Sequence, residues 1–130
     1  MIIDTSALVA LLRAEAETPA ITTAMREANS LKMSAATVVE ARVVMTAKAG
    51  SIGRRLLDTI IKEAQIEIVT LTSAQADFAS QAFIDYGRGS GSQAKLNYGD
   101  CFSYALAAET GEELLYVGND FAHTDLLSAI

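Results

Sequence analysis

The chain has one cysteine, Cys101, one histidine, His123, and one proline, Pro19. A lone cysteine cannot form an internal disulfide, which suits a reducing compartment. A lone histidine excludes a nuclease mechanism built on a histidine pair. No Gly-x-Ser-x-Gly elbow precedes His123, so a Ser-His-Asp hydrolase would lack its nucleophile. The phosphate-binding Gly-x-x-x-x-Gly-Lys-Ser/Thr loop is missing too. No apolar run approaches the roughly 18 residues of a membrane span. The opening Met-Ile-Ile-Asp puts a carboxylate where a signal peptide needs basic and then apolar residues. A cytoplasmic location is expected.

Basic residues are also scarce, ten Lys and Arg against sixteen Asp and Glu for a net charge of −6. That is the wrong sign for binding nucleic acid through bulk charge, so any such contact must be local. A partner with a basic segment, or a bound divalent cation, would suit the acidic surface. Apolar residues are plentiful at 51%, with 20% charged, which is a globular composition. A length of 130 residues allows one core, and a single domain over residues 1–130 is expected.

Hydrophobic periodicity alternates between strand and helix. Met1 to Ile3 reads as a buried strand turning at Asp4 into a helix that carries Leu8, Leu11 and Leu12. Pro19 opens a second helix over about 20–28, and Leu31 to Ser34 is a short strand with Ser34 as N-cap. Ala35 to Lys48 is helical, with Ala36, Val39, Val43 and Ala47 on one stripe and Glu40 in its early turns; Gly50 ends it. A further helix follows over Gly53–Ala64, then a strand over Ile66–Leu71 and a helix capped by Ser73 that runs to Gly87. Arg88 to Gly99 reads as an exposed loop. Asp100 to Glu109 is helical, and Leu114 to Val117 is the last strand. This alternation predicts a parallel sheet covered on both faces, with ligand sites outside the carboxyl ends of its strands.

Four acids fall at such places: Asp4 and Asp120 after the first and last strands, Asp100 at a helix start, and Glu40 within a helix. Each also has an ordinary reading. Asp4 or Thr5 can cap a helix, Asp100 gains from the helix dipole, Glu40 can pair with Arg42, and Gly118-Asn119-Asp120 can be a turn. Structural needs do not require all four to be acids. Cys101, inside an apolar helix, reads as core.

The segments Ile-Ile-Asp-Thr-Ser-Ala, Ser-Ala-Ala-Thr-Val-Val-Glu, Leu-Asn-Tyr-Gly-Asp-Cys-Phe-Ser-Tyr-Ala-Leu-Ala and Gly-Asn-Asp-Phe-Ala-His-Thr-Asp occur in that order. Together they resemble the PIN-domain family, and within it the VapC toxins of bacterial toxin–antitoxin pairs, from Met1 to about Asp125. The resemblance implies a three-layer α/β/α PIN-like domain and a metal-dependent endoribonuclease that leaves a 3′-hydroxyl and a 5′-phosphate. It implies Asp4 and Asp100 as principal Mg²⁺ ligands, with Glu40 and Asp120 completing the catalytic pocket and Asp125 competing for the last place. Thr5 or Ser6 would hydrogen-bond a ligand or the scissile phosphate.

A donor set of carboxylates without a thiolate or imidazole cluster suits Mg²⁺ or Mn²⁺ and disfavours zinc. Arg88 and Lys95, in the loop before Asp100, lead the candidates for contact with RNA, with Asn119 beside Asp120. Arg42, Arg54 and Arg55 are weaker ones. The family pairing implies a small antitoxin whose tail lies in the active-site groove, often with a basic residue reaching the acids. A homodimer is also expected, its face drawn from apolar stripes on the early helices that one sequence does not separate from core. The alternatives are a catalytically inactive PIN-like or flavodoxin-like module that binds RNA or protein, and a phosphotransferase with Asp4 as nucleophile. The latter usually needs a second Asp where Ser6 stands.

Overall fold

The computed structural model describes residues 1–130. Four short strands, β1 (Ile2–Ile3), β2 (Lys32–Ser34), β3 (Glu67–Val69) and β4 (Leu114–Leu115), form one parallel sheet in the order β3-β2-β1-β4. Five helices connect them: α1 (Thr5–Leu12), α2 (Thr18–Glu27), α3 (Ala35–Glu63), α4 (Ser73–Tyr86) and α5 (Asp100–Thr110). The three-layer α/β/α reading of the sequence holds.

Alternation along the central strands divides the core between the two faces. Ile2 pairs in register with Leu114, and Ile3 with Leu115. Ile3 and Leu115 join Leu8, Met33, Ala41 and Leu57 on the face covered by α1, α2 and α3. Ile2 and Leu114 join Leu96, Leu106 and Phe121 on the face covered by α4 and α5. Cys101 belongs to this second cluster at 4% exposure. Helix α5 is wrapped by protein, with Ser103, Tyr104, Ala105, Leu106 and Ala107 all buried. No helix is long and apolar enough to cross a membrane.

The connections from β1 lead towards β2, whereas β4 adds on the opposite edge of β1. The chain therefore diverges between β1 and β4, the switch point beyond whose carboxyl ends open α/β sheets place their ligand sites. Asp4 immediately follows β1, and Asp120 follows β4 by five residues.

Several local expectations need correction. The break expected at Gly50 is not among them: α3 is two helices separated by a kink, with non-helical backbone at Ala49 and at Gly50, whose φ of +60° suits glycine. Thr72, not Ser73, caps α4: its side chain accepts from the Gln75 N–H. The strands expected at 66–71 and 114–117 are shorter, β3 covering Glu67–Val69 and β4 Leu114–Leu115. The stripe of Val39 and Val43 is not core: they are 59% and 64% exposed, while Thr37, Val38, Ala41 and Met45 face inward. Residues 88–99 are not wholly exposed. Ala94 and Leu96 are fully buried, and paired main-chain bonds of Leu96 with Tyr86 and Arg88 close the loop at its base.

Candidate active site

Asp4 is 2% exposed and has donors on both carboxylate oxygens. Oδ2 accepts from the Ser6 N–H at 2.8 Å and from the Ser6 hydroxyl at 2.6 Å, while Oδ1 accepts from Ser103 Oγ at 2.7 Å. Ser103 in turn lies 3.1 Å from Thr37 Oγ1. Asp4 thus caps α1, as the ordinary reading required, and is also tied to α5 and α3. The Ser6 hydroxyl accepts from the Val117 N–H, which joins the segment after β4 to the same carboxylate.

Glu40 is half-buried, and its Oε2 accepts from Thr5 Oγ1 at 2.7 Å. Burial raises the Glu40 carboxyl above its ordinary value, the Thr5 bond opposes that, and the charge of Asp4 adds to it. Arg42 is not its partner: Arg42 and Arg54 both pair with Asp58, at 2.8 and 3.0 Å. The only proton of each of the Thr5 and Ser6 hydroxyls goes to a carboxylate, so in this structure these residues hold acids in place.

Asp100 is the first residue of α5 and 7% exposed. Its Oδ2 accepts from the Asn97 N–H at 2.7 Å, while Asn97 Oδ1 accepts from the N–H groups of Gly99 and Asp100. The turn from 97 to 100 is therefore closed in both directions. Burial pushes the Asp100 carboxyl up to about 7; the Asn97 bond works against this, and the charges of Asp4, Asp120 and Glu40 add to it. The four acids lie within each other's fields around Asp100.

None of the chain's ion pairs includes any of these four acids. A buried cluster of like charges without a cationic side chain is unfavourable unless protons or a cation neutralise it. No three of the carboxylates converge on one point closely enough to ligate an ion together. A divalent cation such as Mg²⁺ usually takes one or two carboxylates and keeps several waters. The donor set, entirely oxygen, fits such an ion.

The remaining candidates lie outside this cluster or at its edge. Arg88 and Lys95 are exposed on the closed loop, with Arg88 Nε donating to the Lys95 carbonyl at 3.3 Å. Asn119 is exposed beside the half-buried Asp120. Asp125 accepts from the Tyr104 hydroxyl at 2.7 Å and is not among the charges acting on Asp100. An apolar groove of about 960 Å³, lined by Val39, Val43, Phe83 and Tyr98, also includes Glu40 and Gly99. Sequence reasoning missed Ser103, Thr37 and Asn97. The signal for two of them was helical spacing: Ser103 follows Asp100 by three residues and Glu40 follows Thr37 by three, so each pair shares a helix face.

The PIN domain family model matches residues 1–127. The ribonuclease VapC28 of Mycobacterium tuberculosis is 43% identical over 130 residues, covering all of this chain and 98% of that protein. The chain belongs to the PIN-domain family, among its VapC ribonucleases. In fold, this PIN domain is similar to the crystal structure of Mycobacterium tuberculosis VapC20, described as a sarcin-ricin loop cleaving toxin. The TM-score is 0.79 at 14% identity, over 97% of this chain and 95% of that one. A toxin–antitoxin complex from Klebsiella pneumoniae matches at a TM-score of 0.70 and 18% identity, over 99% of this chain and 97% of that one. PIN-domain ribonucleases are in general dependent on a divalent metal, which agrees with the oxygen-only cluster.

Proposed function

We propose that this chain, acting as a single PIN domain, is the toxin of a toxin–antitoxin pair and a Mg²⁺-dependent endoribonuclease. The observation that carries the reading is the buried Asp100, surrounded by the charges of Asp4, Glu40 and Asp120 with no basic side chain paired to any of them. Asp4 and Asp100 would hold the ion, with Glu40 and Asp120 completing the acidic pocket; Mn²⁺ would substitute. When bound, Mg²⁺ supplies neutralisation of phosphate charge and a lowered pKa for the attacking water.

The chain's own residues set the geometry. Ser6 and Ser103 fix Asp4 from both oxygens, so its carboxylate cannot rotate. Thr5 holds Glu40, whose raised proton affinity suits it to take a proton from water. Arg88 and Lys95 on their loop, and Asn119 beside Asp120, would meet the RNA backbone, giving the local positive charge that the net charge lacks. The apolar groove that includes Glu40 offers a surface for an apolar antitoxin segment with a basic residue directed at the acids. The exposed Val39 and Val43 stripe offers area to that partner or to a second copy of the chain.

The test is incubation of antitoxin-free protein with mixed cellular RNA in EDTA, Mg²⁺ or Mn²⁺, alongside Asp4→Asn and Asp100→Asn, with mapping of the cleaved ends. Cleavage that needs metal and both aspartates, leaving 3′-hydroxyl and 5′-phosphate ends, is expected. Metal-dependent cleavage retained by both variants would overturn the site. A folded wild type that cuts no RNA under any metal would favour the non-catalytic binding module.

A further inference from the structure

Gly99 has an ordinary right-handed backbone, φ −67° and ψ −42°, a conformation open to any residue. What requires glycine there is space. A Cβ on Gly99 would stand 2.0 Å from Glu40 Oε1, 2.3 Å from the Glu40 carboxyl carbon and 2.8 Å from Oε2. The Glu40 carboxylate therefore occupies the place where a side chain at position 99 would begin. Swinging the carboxylate aside would break the 2.7 Å hydrogen bond that its Oε2 accepts from the Thr5 hydroxyl. Gly99 itself is fixed: its N–H donates to Asn97 Oδ1 at 2.7 Å, within the turn closed by Asp100.

We propose that Gly99 is a positioning residue for Glu40. Its missing side chain is the seat of the Glu40 carboxylate, and the Asn97–Asp100 turn thereby sets two acids from two different helices at a fixed separation. The catalytic consequence rests on the nuclease reading above; the seat itself does not. A glycine needed only for backbone freedom or for close contact of α3 with α5 would be penalised on substitution whatever stood at position 40. A seat for Glu40 is penalised only while Glu40 is there.

The experiment is a four-protein cycle of wild type, Gly99→Ala, Glu40→Ala and the double variant, melted in EDTA and assayed on RNA with Mg²⁺. With Glu40 present, Gly99→Ala is expected to lower Tm and to reduce kcat at least about tenfold with little change in KM, part of the loss that follows when a general base is displaced. With Glu40 truncated, the same substitution is expected to leave Tm unchanged or raise it, because alanine fits this φ and ψ and restricts the unfolded chain. A Gly99→Ala protein that folds only when Glu40 is also truncated supports the same conclusion. An equal loss of Tm in both backgrounds, or full kcat and Tm for Gly99→Ala alone, would overturn it. If the wild type cuts no RNA, the nuclease reading fails, and the melting cycle still decides whether Gly99 seats Glu40.

Discussion

Ser103 on α5 donates a 2.7 Å hydrogen bond to Oδ1 of Asp4 after β1, joining two buried side chains 99 positions apart. Ser103→Ala removes the donor and leaves a buried carboxylate oxygen short of a partner, which costs about 1–3 kcal/mol. The variant is expected to fold, to melt earlier in EDTA, and to lose about 10–100-fold in Mn²⁺ affinity or cleavage rate. Titration with Mn²⁺ together with urea denaturation checks both effects. Unchanged metal affinity would mean that Ser6 alone holds Asp4.

Metal-free protein should become less stable as pH rises through neutrality. The Asp100 carboxyl, ordinarily near 3.8, is pushed up to about 7, first by burial and then by the charges of Asp4, Asp120 and Glu40. The folded state thus binds a proton that the unfolded state has released. Its stabilising effect is complete below pH 3.8 and is lost as pH rises through about 7. The span corresponds to a loss on the order of 4 kcal/mol. Asp100→Asn keeps an acceptor for the Asn97 N–H without the charge. It should therefore melt above wild type at pH 8 in EDTA, converge with it towards pH 4, and cut no RNA. Added Mg²⁺ should close the pH 8 gap by stabilising wild type alone. Equal melting of the two proteins at pH 8 in EDTA would contradict the electrostatic account.

Periodicity in the sequence was sufficient for the order of strands and helices, because the apolar residues of β1 and β4 alternate between two cores and those of the helices recur at three and four. It could not distinguish Val39 and Val43 from core, since a stripe that faces an open groove has the same composition as one that faces a sheet. Nor could it distinguish cap from site at Asp4, where one carboxylate does both on different oxygens. Asp4, Asp100 and Asp120 were legible because they follow a strand or open a helix, whereas Glu40, inside α3, was legible through the motif that ends in it. Their supports were not. Ser103 and Thr37 are small residues within helices, and only the packing of α5 against β1 and α3 gives them partners. The space at Gly99 exists only once Glu40 arrives from another helix.

Two aspartates after β4 compete for the fourth place in the pocket, and their surroundings separate them. Asp120 acts on Asp100 through its charge, whereas Asp125 accepts the Tyr104 hydroxyl at 2.7 Å. Asp120→Asn is expected to lower the cleavage rate at least about tenfold with little change in Tm, as for loss of a group acting on the reacting centre. Asp125→Ala is expected to cost about 0.5–1.5 kcal/mol through the lost hydrogen bond and to leave the rate near wild type. Parallel assays and melts of both variants decide the assignment, and the reverse pattern would transfer the role to Asp125.

Arg88 and Lys95 bind RNA in this proposal through charge alone, from an exposed loop in which the Arg88 side chain donates to the Lys95 carbonyl. Groups that contact phosphate in ground state and transition state alike change KM more than kcat. The double variant Arg88→Ala/Lys95→Ala should therefore raise KM several-fold at physiological salt while kcat stays within about twofold. Two lost contacts to a single strand should also reduce the slope of log affinity against log salt by about 1.4. Binding of a fluorescent RNA to the inactive Asp4→Asn protein, measured across a salt series, isolates this effect from cleavage. An unchanged slope would assign both side chains to solvation, and the local positive charge that an acidic protein needs for RNA would have to come from Arg42, Arg54 or Arg55. Arg42 and Arg54 already share Asp58, so recruiting them would first cost those ion pairs.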